Sequence, residues 1–514
     1  MRYTSSFIES LAVDPTRRLL HSDKATLTGG EILEQSARIA RVLEQRGLGT
    51  GDVAVVAVEA GAAFLAVVYA TMMSGMTLAL IDPEMGPENY RAKIAQLKPA
   101  VAFVDSRLLF LQEHPLIYGP ARRWLGTPHL PRFGGALLVA VGPWMPIVRR
   151  HLRLSALLMR GSPAFQRGLG LPERGGEYAI MYTSGTLAEP KGVLHSLDGL
   201  QESIRRVACV LGDPDAQRIA THLPHYILLG ISSNVPVFVW KHNWAAENKI
   251  RFIEENRITT LFGPPSDFVP LLTFLENDNR HLPNALNLIL LGSAPVHPSF
   301  LRRLRAVLAP HVRVVCMYGM TENLLVATAT LAEKLAFDEG GDLVGRPVEG
   351  VDVRLAHDGE LLLRSPQCYT RYFHETERPA WHPTGDLARL RSDGTIVLLG
   401  RKKDMIIRGN FNLYPALYEP TVCRIAGVEA AVFLGVYDEA RADEVVYLVV
   451  EPVAGRHLQD EALRRRIAAT LREGRLAIDR QALPDEIRLM KLPRSGRSHK
   501  VDRNILRQQL SQPR

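Results

Sequence analysis

The sequence predicts an α/β fold with a large N-terminal domain of parallel and mixed sheets, flanking helices and a small β-barrel-like part. A small α+β domain follows it. Three observations carry this. Helical and strand-like patterns alternate over the first hundred residues and again between 250 and 317, the mark of a parallel sheet covered on both faces. Short strands between 351 and 399 are joined by the turns His357-Asp358-Gly359 and Ser392-Asp393-Gly394, the mark of an antiparallel meander or small barrel. The 514 residues are also too many for one ordinary core.

Residues 30–46 place Ile32, Leu33, Ile39, Val42 and Leu43 at helical spacing, and Gly47 ends the helix. A strand over 52–58, a helix over 62–73 closed by Gly75, and a strand over 77–81 follow. Residues 135–141 are apolar but far short of the ~20 residues that a membrane-spanning helix needs. Pro143 and Pro146 follow that run. Arg122, Arg123, Arg149, Arg150, Arg153 and Arg160 surround it, with Trp124, Phe133 and Trp144 between them. This reads as a core strand with basic loops. A membrane-surface patch and a carrier-protein dock are the alternatives. Next come a strand over 178–182, a helix over 250–256, strands over 259–262 and 286–291, a helix over 298–308 and a strand over 313–317. Strands over 351–355, 360–364 and 395–399 form the meander. Residues 401–405 make a charged joint. Strands over 428–437 and 444–450 and a helix over 460–471 then build the small domain. The boundaries are 1–400 and 401–514.

Hydrophobic residues make up 46% and charged residues 23%, as in ordinary globular enzymes. The net charge of +8 suits a nucleic acid, an acidic carrier protein or a membrane surface, or simply an arginine-rich proteome. The chain lacks zinc-finger spacing and RNA-binding aromatic motifs, so no nucleic-acid partner is expected. Cys209, Cys316, Cys368 and Cys423 are scattered without metal or redox spacing and read as reduced. Residues 1–6 lack the apolar core of a signal peptide, and a cytoplasmic location is expected.

Residues 181–192 read Met-Tyr-Thr-Ser-Gly-Thr-Leu-Ala-Glu-Pro-Lys-Gly, a strand running into a Thr/Ser/Gly loop that ends on a lysine. Gly185 lets backbone approach a polyanion, the hydroxyls of Thr183, Ser184 and Thr186 can donate to phosphate oxygens, and Lys191 can neutralise charge. The Walker spacing is absent. The loop resembles the phosphate loop of the adenylate-forming superfamily, which includes acyl-CoA synthetases, peptide-synthetase adenylation domains and luciferases. Further motifs resembling that family follow in its order. They are Tyr318-Gly319-Met320-Thr321-Glu322, Thr384-Gly385-Asp386, Gly400-Arg401-Lys402-Lys403-Asp404, Asn412-Leu413-Tyr414-Pro415, and Lys500-Val501-Asp502-Arg503. Acyl-CoA synthetases are the branch most similar to the chain.

The resemblance implies ATP-dependent activation of a carboxylic acid to an acyl-adenylate, then transfer to a thiol, most simply that of CoA. Lys500 would be the catalytic cation between carboxylate and α-phosphate. Thr321 would contact that phosphate, and Glu322 would hold Mg²⁺. Asp386 would accept the ribose hydroxyls and Arg401 would reach ribose or phosphate. Gly292, Ser293, Ala294, Tyr318 and Gly319 would line the adenine site, and Lys403 would be the hinge that makes the small α+β C-terminal domain mobile. Tyr226, Gly230, Gly263, Met320 and Val326 would shape an apolar acyl pocket. No acidic residue is placed there to receive an amino group, which favours a fatty, aryl or other uncharged-tail acid.

Departures from the family pattern open alternatives. Leu187 and Ala188 replace a hydroxyl residue and a glycine in the phosphate loop. Asn410 stands where CoA ligases border the pantetheine tunnel. The segment before Lys500 is one residue longer than usual. An acyl-AMP ligase loading the phosphopantetheine of an acyl carrier protein, a β-lactone synthetase-like intramolecular capture, and a degenerate nucleotide-binding protein are therefore weighed beside the CoA ligase.

Overall fold

The computed structural model describes residues 7–81, 87–114, 133–145, 151–160, 176–182, 191–408, 411–438, 443–453, 460–473, 476–495 and 500–511. Two large sheets dominate it. In the first, the strands Arg18–His21, Val237–Val239, Ile219–Thr221, Thr260–Gly263, Leu288–Leu291 and Arg313–Met320 lie side by side in parallel. The strand Arg313–Met320 then turns back on Asn323–Thr330 as an antiparallel hairpin. The ladder runs on, antiparallel, through Asp342–Pro347, Ile396–Arg401, His382–Leu390, Glu360–Arg364 and Asp352–Leu355. The expected meander is thus hydrogen-bonded directly onto the parallel sheet through Asp342–Pro347.

The second sheet aligns Glu177–Tyr182, Thr77–Leu80, Val53–Ala57, Val101–Asp105, Leu137–Val141 and Leu152–Arg153 in parallel. Gly192–Ser196 and Arg371–Tyr372 extend it antiparallel. The apolar run at 135–141 is therefore largely a core strand, with Val139 and Val141 buried. Between the sheets runs the helix Ala62–Met73. It is apolar on every side, and its residues 64–73 are all buried, as a helix enclosed in a core must be. Leu20 and Val237 of one sheet and Val56 and Phe103 of the other share that core.

Past residue 405 the packing changes partners. Val428–Asp438, Asp443–Pro452 and Glu486–Leu489 form a three-stranded sheet covered by the helices Pro415–Val422, Glu461–Arg472 and Arg503–Ser511. Ile406, Leu413, Phe433, Leu448 and Ile467 fill its core. One buried carboxylate ties this unit together. Glu419 accepts from the Phe433 N–H at 2.8 Å and takes the Arg503 guanidinium at 2.7 and 2.9 Å, while Arg503 also donates to the Phe433 carbonyl at 2.8 Å. One guanidinium nitrogen, Nη2, thus meets both carboxylate oxygens while Nη1 holds the Phe433 carbonyl, and the contacts to the carboxylate are charge-assisted. This clamp holds the last helix, and with it the segment carrying Lys500, in place.

Most elements read from the sequence are present within a few residues. The strand at 313 extends to Met320, and several elements were not marked by periodicity, among them the helices Leu197–Leu211 and Pro265–Asn277 and the strands Asn323–Thr330 and His382–Leu390. Among the described residues no helix is long and apolar enough to cross a membrane.

Candidate active site

The site is built at the carboxyl ends of the parallel strands, where loops leave an open α/β sheet and ligands characteristically bind. After Leu288–Leu291 the chain enters Gly292, Ser293 and Ala294. Ser293 holds φ of +65°, a left-handed turn unusual for a side chain with a Cβ. Its hydroxyl lies 2.9 Å from that of Tyr226. Tyr226, at the start of the helix Pro224–Ser232, stacks on Phe262 with ring centroids 3.4 Å apart and planes 12° from parallel. Burial pushes its phenol up to about 12, so it is a neutral hydrogen-bonding group. A Cβ on Gly292 would stand 3.5 Å from Met317 Cε and 3.6 Å from Tyr226 Oη. Gly292 thus leaves a flat face beside an aromatic wall.

The other residues assigned to the acyl pocket face elsewhere. A Cβ on Gly230 would meet Val237 Cγ2 at 2.4 Å, so its bare side faces the sheet beneath the helix. A Cβ on Gly263 would meet Asp267 Oδ2 at 2.9 Å. Val326 is fully buried with Ala327, Val344 and Leu361, and Met320 is half-buried against the same cluster.

Thr321 and Glu322 form the tip of the hairpin between Arg313–Met320 and Asn323–Thr330. Gly319 makes this tight return sterically feasible, since a Cβ there would overlap the Leu324 carbonyl oxygen at 2.1 Å. Two contacts anchor the tip. The Thr321 carbonyl accepts from His195 Nε2 at 2.7 Å, and the Glu322 carbonyl accepts from the Tyr369 N–H at 2.8 Å. His195 is fully buried, and desolvation drops its pKa to about 4. It is therefore neutral, with the Nε2 proton committed to Thr321. The Glu322 carboxylate accepts from Tyr372 Oη at 2.9 Å, and the Lys191 ammonium stands 5.0 Å from the centre of the same Tyr372 ring. A cation and an acidic group thus flank one aromatic ring. A carboxylate has about four lone-pair sites, of which Tyr372 takes one. The rest suit a hard divalent cation such as magnesium.

Asp386 sits within the strand His382–Leu390, 4% exposed. Tyr318 donates to its Oδ2 at 2.6 Å and Arg401 Nε approaches its Oδ1 at 2.8 Å. Arg401 also donates to the Thr384 carbonyl at 3.0 Å, and Thr384 Oγ1 receives the Asp386 N–H at 3.0 Å. Burial raises the Asp386 carboxyl above its ordinary range, and Arg401, the Tyr318 hydrogen bond and Lys500 oppose that rise. Desolvation and the Asp386 charge push the Tyr318 phenol well up, keeping it a donor. Lys500, on the short strand Lys500–Val501, is exposed as a whole residue. Desolvation around its ammonium, then Arg401, lower its pKa, while Asp386 raises it. Lys500, Arg401, Asp386 and Tyr318 therefore belong to one electrostatic neighbourhood although 182 positions separate the first from the last (500 − 318).

Sequence reasoning missed Tyr372, His195 and Glu360. Glu360 accepts the Gly385 N–H at 2.8 Å and the Lys402 ammonium at 2.9 Å, setting the loop before Asp386. Only the neighbourhood of His195 to Lys191 carried any signal; the others lie far along the chain from the groups they hold. Thr183, Ser184, Gly185 and Thr186 lie outside the described residues, as do Leu187, Ala188, Asn410 and the segment 496–499.

Residues 7–373 match the family model described as AMP-binding enzyme. The chain belongs to the AMP-binding enzyme family. Within it, a 2-succinylbenzoate–CoA ligase of Listeria monocytogenes is 28% identical over 65% of this chain and 70% of its own. An indoleacetate–CoA ligase of Aromatoleum aromaticum is 26% identical over 86% of this chain and 85% of its own. Among solved structures, an anthranilate CoA ligase in complex with anthranoyl-AMP is 18% identical. It superposes with a TM-score of 0.81 over 99% of this chain and 98% of that one, which establishes the shared fold.

Proposed function

We propose that this enzyme uses ATP to activate a ring-bearing, largely apolar carboxylic acid as its acyl-adenylate and passes the acyl group to the thiol of CoA. The observation that carries the reading is the convergence of Tyr318, Asp386, Arg401 and Lys500. Joining a carboxylate to a phosphate requires two anions to meet, so charge neutralisation and positioning are the main work of the site. Asp386 keeps lone pairs for the ribose hydroxyls beside those taken by Tyr318 and Arg401. Lys500 supplies the cation between carboxylate and α-phosphate. Tyr318 lies over the base, Thr321 is aimed by His195, and Lys191 takes the outer phosphates together with Thr183, Ser184, Gly185 and Thr186. Glu322 is the residue that would hold magnesium, which when bound screens the phosphate charge.

A fatty acyl substrate is set aside. The relatives are named for succinylbenzoate and indoleacetate, both ring acids. The stacked Tyr226 and Phe262 beside Gly292 and Met317 make an apolar, aromatic surrounding in keeping with a ring acid.

The hinge is assigned to Lys403, with the two working units divided at residues 400 and 401. Its neighbours are held in opposite directions. Lys402 pairs with Asp358 at 2.6 Å and Glu360 at 2.9 Å in the large unit. Asp404 pairs with Arg507 at 3.3 Å and Arg503 at 3.7 Å in the small one. Lys403 is the exposed residue between two anchors, where a backbone rotation breaks neither pair. Rotation there removes Lys500 after adenylation and opens the site to the thiol.

The test is acyl-CoA formation by the purified enzyme with ATP, magnesium and CoA across benzoic, indolic and long-chain acids. Turnover of ring acids is expected to exceed that of the chain acids. Turnover of long-chain acids alone would overturn the substrate class. Adenylate formation without transfer to CoA, but with transfer to a phosphopantetheine carrier, would overturn the acceptor.

A further inference from the structure

On the opposite face of the same sheet edge, His222, His242 and Asp267 converge. His222 follows the strand Ile219–Thr221, His242 lies just past Val237–Val239, and Asp267 is in the first turn of the helix Pro265–Asn277, which follows Thr260–Gly263. These three strands are adjacent and parallel, so their carboxyl ends bring the residues together. Side-chain alternation puts the cluster with Ala220, Phe238 and Leu261, under the helices Ala246–Glu255 and Pro265–Asn277. Tyr226 and Phe262 belong to the core on the other side.

His222 Nδ1 lies 3.7 Å from Asp267 Oδ2 and His242 Nδ1 lies 3.9 Å from Asp267 Oδ1. One ligand atom from each residue falls within a 4.8 Å span, and the imidazole centroids are 4.7 Å apart. The Asp267 side chain is 9% exposed, yet among the described residues its Oδ1 has no hydrogen-bond partner. Burying an anion without one is costly. The nearest buried cation, Lys249, donates its ammonium to the His242 carbonyl at 2.9 Å and stands 5.6 Å from the Trp240 ring centre. It reaches Asp267 only as a through-space charge.

We propose that His222, His242 and Asp267 bind a first-row divalent transition-metal ion of the zinc class, at a site separate from the adenylating centre. Two imidazoles and one carboxylate form a recurrent donor set for such ions, with bonds of about 2.0–2.2 Å. Those bonds place neighbouring ligand atoms roughly 3.3 Å apart in a tetrahedron, so the two His–Asp separations need to close by about half an ångström, and the 4.8 Å span of the set limits the His–His closure to about 1.5 Å. The half-exposed His242 provides the entry side. The ion would clip three strand ends together directly behind the Tyr226–Phe262 wall, acting through positioning. Magnesium, which prefers oxygen ligands, is not the expected occupant.

The test uses the full-length, tag-free chain, stripped with chelator, exposed to Zn²⁺ or Mg²⁺, gel-filtered and measured for bound metal and melting temperature. One equivalent of zinc is expected to be retained and to raise the melting temperature, with no effect of magnesium in the absence of ATP. His242→Ala, which alters a half-exposed side chain, should keep the fold by circular dichroism and weaken zinc binding at least about tenfold, as should Asp267→Asn. Absence of retained zinc in the wild type, or equal retention and stabilisation in His242→Ala, would overturn the site.

Discussion

Asp386 and Lys500 are opposite charges whose surroundings shift them toward each other in pH. Burial raises Asp386, and burial with Arg401 lowers Lys500. In the proposed reaction Asp386 serves as an anion, so ATP binding is expected to weaken on acidification, beginning above the ordinary carboxylate range. In the same proposal Lys500 serves as a cation, so the adenylation rate is expected to fall as pH rises, beginning below the ordinary lysine range. A pH profile of adenylation rate and KM for ATP should show the acid limb in KM and the alkaline limb in rate. Asp386→Asn keeps the shape but loses the charge facing Arg401. Loss of charge-assisted hydrogen bonds worth about 1.5–3 kcal/mol predicts a KM for ATP raised roughly tenfold to a hundredfold, measured by pyrophosphate exchange. His195 behaves differently, because its folded pKa of about 4 lies below its ordinary 6.5. The unfolded chain takes up the proton first, so stability is intact above 6.5 and is lost as pH falls towards 4. The loss between pH 7 and pH 5 is about 2 kcal/mol. Chemical denaturation at those two pH values should show a smaller drop for His195→Gln than for the wild type.

The elements differ in how far the sequence announces them. Helices such as Gly29–Glu44 and Ala62–Met73 were legible because apolar spacing and closing glycines act locally. Pairing was less so. His382–Leu390 carries no strand signal because Thr384-Gly385-Asp386 interrupts its alternation. It is nevertheless a strand, since Thr384 Oγ1 donates to the Leu361 carbonyl at 2.8 Å and neighbours on both sides complete the ladder. The site shows the same division. Asp386, Glu322 and Lys500 were visible through ordered motifs, while Tyr372 and Glu360 act through contacts made only after folding. The three-residue turn Lys402–Asp404 also carries a prediction at this scale. Lys403→Pro removes backbone freedom between its two anchors. It should leave pyrophosphate exchange within a few-fold of wild type while lowering acyl-CoA formation by about a hundredfold or more, measured as the ratio of the two activities. Equal loss of both would indicate general damage to the fold.

At the scale of the molecule, two sheets and the buried helix between them build a fixed floor, while the unit past residue 405 has its own core and brings Lys500 in from outside. The clamp of Glu419, Arg503 and Phe433 holds the chain three residues past Lys500 and does not use the Lys500 side chain, so Lys500→Ala should disable chemistry without unfolding the small unit. The most direct measurement is acid-dependent ATP–pyrophosphate exchange across a panel of ring-bearing acids, with wild type and Lys500→Ala compared. The account predicts exchange that requires the acid in the wild type and falls by roughly a hundredfold to a thousandfold in Lys500→Ala, the scale expected for one charge-stabilising group. No acid-dependent exchange in the wild type, or undiminished exchange in Lys500→Ala, would contradict it.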